Sequence, residues 1–145
     1  MFPRLCATLI FPLFGSDCLG QSGPSGCLSY EPVEVTLHGS LARRTYPGPP
    51  NYEDSGKGDH PETYWLLILD SPIFLDESKS DPELNPKNEN IREVQLVVTR
   101  GMYENSKSLV GQRVVARGTL FGEHTAHHHT PVLLTVKTLE LDQKK

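Results

Sequence analysis

Catalytic signatures are what this 145-residue chain most plainly lacks. It contains no HExxH, no CxxC and no zinc-deaminase signature. No GxSxG elbow is present, and Cys27 has no histidine near it in sequence, so nucleophilic catalysis has no visible seat. Gly56-Lys57-Gly58 lacks the spacing of a phosphate-cradling loop. Basic residues are the minority, 14 Lys+Arg against 18 Asp+Glu, for a formal charge of −4. An acidic domain has no general attraction for phosphate backbones, which argues against nucleic acid as a partner. There are no internal repeats and no heptads, and no apolar run is long enough to cross a bilayer as a helix.

Cysteine is also scarce, at Cys6, Cys18 and Cys27. Arg4, the apolar run 5–14 and small residues at 18–20 have the order of a signal peptide spanning residues 1–20. Removing it leaves the charge at −4 and leaves Cys27 alone, and one cysteine cannot form an internal bridge. Ser25-Gly26-Cys27 suits a lipid-acceptor site, although Pro24 stands where such signals place an aliphatic residue. The expected organisation is a signal peptide 1–20, an N-terminal segment 21–31, one β domain 32–141 and a tail 142–145. The expected location is periplasmic or secreted.

What is present is a period of two. Val33, Val35, Leu37 and Leu41 alternate with polar residues, with Gly39 at an expected bulge. Residues 64–69 form a continuous apolar run, the pattern of a strand covered on both faces. Val94/Leu96/Val98 and Val114/Ala116/Leu120 predict a third and a fourth strand, and residues 132–141 a fifth whose phase slips near Val136. Residues 102–110 repeat apolar positions at seven and end at Gly111, which predicts one short helix. The order β-β-β-α-β-β is that of the five-stranded OB barrel, whose ligands usually meet one sheet face and the loops joining strands 1–2 and 4–5. A small β-sandwich or an α+β roll is the alternative.

Two connections are long. Residues 71–90 carry carboxylates without the glycine and spacing of a calcium loop, so a solvated loop is expected there. Residues 47–61, PGPPNYEDSGKGDHP, combine prolines with Tyr52, Glu53, Asp54, Asp59 and His60. The chemically dense segment is HTAHHHT, residues 124–130, holding four of the six histidines. Neutral imidazole is the commonest metal ligand. In extended backbone His127 and His129 face one side and could share a zinc or copper ion, with His124, Asp59, His60 or Glu62 completing the set. Structural hydrogen bonding within the loop and contact with a partner are the competing readings. Glu53 with His127 is a conceivable acid–base pair, Arg43 or Arg44 a conceivable anion clamp, and Trp65 a core residue.

CLSYEP (27–32), TYPGPPNYEDSGKGDHPETYWLLILDSP (45–72) and GTLFGEHTAHHHTPVLLTV (118–136) resemble an uncharacterised family of small exported bacterial proteins, over about residues 27–140. The resemblance implies an envelope or secreted location and no established activity. It also implies a cysteine at the position of Phe74; if that cysteine pairs with the one matching Cys27, this chain has lost the bridge, leaving Cys27 free, lipidated or paired between chains. The reading is an exported binding module, with an inhibitor or immunity protein in the cell envelope as one form of it. Its partner- or ligand-contacting residues would be Asn51, Tyr52, Glu53, Asp59, Glu62, His124, His128 and Thr130. The alternative is a metal-binding protein or metal-dependent enzyme using His127 and His129.

Overall fold

In the computed structural model, residues 26–143 are described; the signal-peptide expectation lies outside them. Five strands follow one another as β1 (Glu34–Pro47), β2 (Pro61–Leu75), β3 (Asn88–Val97), β4 (Arg113–Gly122) and β5 (Val132–Leu141), with one helix, α1 (Arg100–Ser106), between β3 and β4. They close into a barrel in the order β1-β2-β3-β5-β4. All neighbours are antiparallel except β3 and β5, which run parallel. This is the OB-like arrangement expected from the element order, and the domain is mostly β. No helix among the described residues is long and apolar enough to cross a membrane.

The alternation of β1 explains how the barrel closes. Val35, Leu37 and Leu41 point inward and are buried, joined by Trp65, Leu67, Val94, Leu96, Val114, Ala116, Leu120 and Leu134 from the other strands. β1 is long enough to serve two neighbours: residues 34–40 pair with β4 and residues 39–47 with β2. Gly39 sits where the two ladders overlap, and the register runs through it without a shift, so it is not a bulge. A Cβ there would lie 2.2 Å from the Ile68 carbonyl oxygen, so close backbone approach is what requires glycine. The slip near Val136 is a true irregularity, since the β4–β5 register shifts between Arg117 and Gly118.

Several boundaries differ from the sequence pattern, among them that β1 runs on to Pro47 and β3 begins at Asn88. β2 continues to Leu75, so the connection to β3 shrinks to residues 76–87. The helix starts earlier, at Arg100, because Thr99 caps it by accepting from the Met102 N–H; residues 107–109 follow as a 3-10 turn. Asp142, expected in a free tail, is held by a 3.0 Å contact to His38 Nδ1.

Cys27 is disulfide-bonded. A lipid anchor or a free thiol would need that same sulfur. The neighbouring Leu28 N–H donates to the Phe74 carbonyl at 2.7 Å, so positions 27 and 74 do lie close together.

Candidate functional site

Leu66 and Leu133 are fully buried, yet neither belongs to the interior cluster. Alternation explains why. Their neighbours Trp65, Leu67 and Leu134 point inward, so Leu66 and Leu133 point out of the barrel. In register, Leu66, Gln95, Leu133 and Phe121 form one row across β2, β3, β5 and β4 on the outer surface. An apolar row of this kind needs a cover, and the histidine segment provides it.

Gln95 fastens that cover. It is 2% exposed; its Nε2 donates to the His127 carbonyl at 2.9 Å, and its Oε1 accepts from the His129 N–H at 2.7 Å. Thr130, 4% exposed, accepts from the Gln95 backbone N–H at 3.0 Å and donates to the Val132 carbonyl at 2.7 Å. Thr130 is thus a structural pin and not an exposed contact residue. The backbone between is turned rather than extended, with the His128 N–H donating to the Thr125 carbonyl. The extended spacing that would align His127 with His129 therefore does not hold.

Each histidine instead has its own surroundings. His129 stacks on Tyr46 with ring centroids 3.9 Å apart and planes within 3°, and its Nε2 is buried without a hydrogen-bond partner. His124 and His128 pack edge to face, centroids 4.7 Å apart, and both rings lie against Phe121. The His124 backbone N–H donates to His128 Nδ1 at 3.1 Å, while His124 Nδ1 lies 3.1 Å from the Gly122 carbonyl oxygen and donates to it. Burial holds the His128 and His129 imidazoles below the usual histidine range; His124 and His127 push His128 the same way, whereas Glu62 partly opposes the shift at His129.

His127 alone reaches the β1–β2 loop. Its Nδ1 lies 2.9 Å from Glu62 Oε2 and 3.1 Å from the Tyr64 hydroxyl, and its Nε2 lies 3.2 Å from the Tyr52 hydroxyl. A carboxylate can only accept, so Nδ1 carries the proton and Nε2 accepts from Tyr52. Glu62 also accepts from the Tyr64 hydroxyl at 2.6 Å. These two donors, Tyr64 foremost, hold its carboxyl below the usual range; burial and Glu62 together push the Tyr64 phenol well above its own. The partner of His127 is therefore Glu62, not Glu53, which is exposed.

The β1–β2 loop is braced from inside. Asp59, 4% exposed, accepts from the backbone N–H groups of Asn51, Glu53 and Asp54 at 2.9, 2.9 and 3.0 Å. Those bonds hold its carboxyl below the usual range. Glu53 contributes backbone there, Asn51 both backbone and side chain, and Asp59 has its carboxylate committed. The brace fixes Tyr52 at φ 60°, a conformation costly for a residue with a Cβ. Arg44 is occupied by a bidentate pair with Glu93, at 2.7 and 3.0 Å, and is no anion clamp.

Beside this contact, Tyr64, His127 and His128 form one wall of a groove of about 390 Å³, whose remainder comes from Thr63 and Trp65 of β2, residues 95–98 and Tyr103. Among the described residues, no group of three or more His, Cys, Asp and Glu gathers where one ion could be held. Tyr46, Tyr64 and Gln95 are the participants that sequence reasoning missed. Gln95 had one signal: it is the polar residue within Val94–Val98, where the outward face is otherwise apolar at Val97.

Fold and site together define an OB-like barrel whose strand 4–5 loop straps the outer face and meets the strand 1–2 loop. A family model described as a domain of unknown function (DUF4431) matches residues 93–140. The chain is similar to that family from β3 through nearly all of β5, a span that includes Gln95 and every histidine of the strap. No curated protein matches the chain.

Proposed function

We propose that this chain is a non-enzymatic binding domain acting in the cell envelope or outside it. It engages a protein or small ligand along the ledge where the β1–β2 and β4–β5 loops meet. The observation that carries this reading is the Tyr52–His127 contact at 3.2 Å, which joins two sequence-distant loops beside an open groove. Tyr52 keeps its left-handed backbone although only one hydroxyl bond is made by its side chain. Strain of this sort concentrates at functional sites. OB-like barrels commonly bind ligands between these same two loops, which supports the reading by analogy of fold. An inhibitor or immunity protein aimed at an envelope-attacking enzyme is the form we favour, because the chain is small and acidic and its motifs resemble those of exported bacterial proteins.

The test is capture from an envelope extract on immobilised chain, followed by titration of the purified captured species. The Tyr52→Ala/His127→Ala double variant, folded by its spectrum, should bind at least about tenfold more weakly. Equal binding by the double variant would overturn the reading. Elemental analysis of untagged chain supplies the other arm: stoichiometric zinc or copper, lost in His127→Ala and His129→Ala, would replace a binding ledge with a metal site.

A further inference from the structure

We infer that the opening where β2 and β3 part is a docking groove for an extended polypeptide segment of a partner protein. The segment adds to the free edge of β2 at Thr63 and lays an apolar side chain against Trp65 and Tyr103. The inference rests on the binding-domain reading and names the class of its partner.

The ladder between β2 and β3 runs only as far as Trp65↔Leu96. Beyond it β2 continues to Pro61, still paired with β1 through Thr63↔Thr45 and Pro61↔Pro47. β3 ends at Val97 and turns into α1 at Arg100. The last residues of β2 therefore have a strand on one side only.

The phase of the ladder says which backbone groups face the opening. The Gln95 N–H donates to Thr130 Oγ1, on the β5 side. Successive peptide groups alternate sides along a strand, so Leu96 faces β2, and Trp65 opposite it faces β3. Thr63, two residues from Trp65, faces the same way, where no strand lies opposite. An unpaired edge of this kind is a template for another extended chain.

The groove supplies the rest of what such a segment needs. Its floor is apolar, from Trp65, Leu96, Val98 and Tyr103, and Val97 stands exposed at its lip. Trp65 is 3% exposed, and its indole N–H is buried with no acceptor. A buried donor left unpaired is costly, and a carbonyl from the incoming segment would satisfy it. Tyr103, stacked on Trp65 at 4.7 Å and 38% exposed, is the side chain free to shift as the segment enters. The lining carries no Lys or Arg, so a phosphodiester chain has nothing to neutralise it. Backbone pairing for affinity and an apolar pocket for selectivity are together the recognition mode of strand addition.

The test uses a random twelve-residue peptide library displayed on phage, panned against the immobilised full chain. Selected peptides are then titrated into isotope-labelled chain. Enriched peptides should carry an apolar residue among β-forming neighbours and shift the amides of residues 63–65, 96–98 and 103. N-methylation of alternate peptide amides on one edge should weaken binding about tenfold, with little effect on the other edge. Thr63→Pro removes an N–H that makes no ladder bond and should cost about the same, whereas Thr63→Val should keep affinity. Should Thr63→Pro fail to fold, the N-methylated peptides report the same bond.

Selected peptides that move Tyr52 and His127 while leaving residues 63–65 unshifted would overturn the groove and leave the binding domain standing. Failure to enrich any peptide overturns the polypeptide assignment, and so does self-association of the chain abolished by Val97→Arg. The Tyr52→Ala/His127→Ala capture experiment judges the parent reading separately.

Discussion

Two loops of similar length flank β2, and each is organised by one buried polar side chain, but the two side chains work in opposite directions. In the β1–β2 loop, Asp59 turns inward on its own segment and gathers three N–H groups within eight residues. In the β2–β3 loop, Asn85 reaches outward, accepting at 2.8 Å from the N–H of Gly122 at the end of β4. Tyr30 secures the same stretch by donating to the Pro86 carbonyl. A self-braced loop keeps its shape without leaning on the barrel, so its side chains remain available; Tyr52 uses that freedom to meet His127. A docked loop spends its polar groups on the barrel and strengthens it. The acidic residues of the second loop then stay on its solvent face, as their solvated pattern suggested.

The sharpest way to break this contrast is Asp59→Ala. It strands three N–H groups at once, so we expect the largest loss, a melting temperature lower by roughly 10 °C, with fast hydrogen exchange at residues 51–54. Asp59→Asn, which keeps an acceptor, should recover part of it. Asn85→Ala orphans one buried N–H and should cost about 1–2 kcal/mol, or roughly 5 °C, with exchange accelerated at Gly122. If Asp59→Ala instead loosened Gly122 as much as residues 51–54, the loop would not be self-braced.

How much of this was legible follows from where the periodicity lives. Inward residues such as Val35, Leu37, Val94, Leu96 and Leu134 repeat every second position because one face meets a dry core, so the strands and their order could be read directly. The continuous run at residues 64–69 did mark β2 as covered on both faces, and Leu66 is buried outside the barrel accordingly; that Gln95, Leu133 and Phe121 share its row could not be read, since a cover supplied by a distant loop leaves no period of its own. The position of the histidine segment beside the β1–β2 loop followed from the strand order. Its internal arrangement did not, because an extended backbone was assumed where Gln95 and a turn at residues 125–128 bend the chain. Asp59 was read as a ligand because a carboxylate looks the same in sequence whether it faces solvent or three backbone donors.

Acid separates the two loops further, since an amide brace does not titrate and a carboxylate brace does. His128 and His129 are held below their ordinary value of 6.5, so they favour the neutral form when folded. Above that pH both states are neutral and nothing is lost. Below it the unfolded chain takes up protons first, and stability falls with pH. Glu62 and Asp59 are likewise depressed, from 4.5 and 3.8, so their contributions are present above those values and disappear as pH falls through the folded ones. Melting from pH 7.5 to pH 5.5 should therefore drop by roughly 3 °C, with the slope reduced in a His128→Gln/His129→Phe variant. Exchange at the His124 N–H, which donates to His128 Nδ1, should quicken over the same interval, while Gly122 N–H on Asn85 stays slow. Equal acceleration at both would mean that acid loosens the barrel as a whole.

The smallest effect is the most discriminating. Tyr52→Phe removes one hydroxyl, which donates to His127 Nε2 in a half-exposed setting, and should cost only about 0.5 kcal/mol. Because Asp59 holds residues 51–54 chiefly through their backbone N–H groups, and none of its bonds involves the Tyr52 hydroxyl, the loop should keep its shape, with unchanged exchange at those amides. His127 should keep its place as well, since Glu62 at 2.9 Å and the Gln95 bond to its carbonyl at 2.9 Å are untouched. What changes is the link between the loops: without the hydroxyl, only the edge-to-face packing of the ring at position 52 on His127, centroids 5.2 Å apart, joins them. A spectrum in which only the resonances of position 52 and His127 move would mean that two independently braced segments share one hydrogen bond and one ring contact. Ligand affinity in that variant then measures what the bond contributes to recognition, free of any change in the folding of either loop.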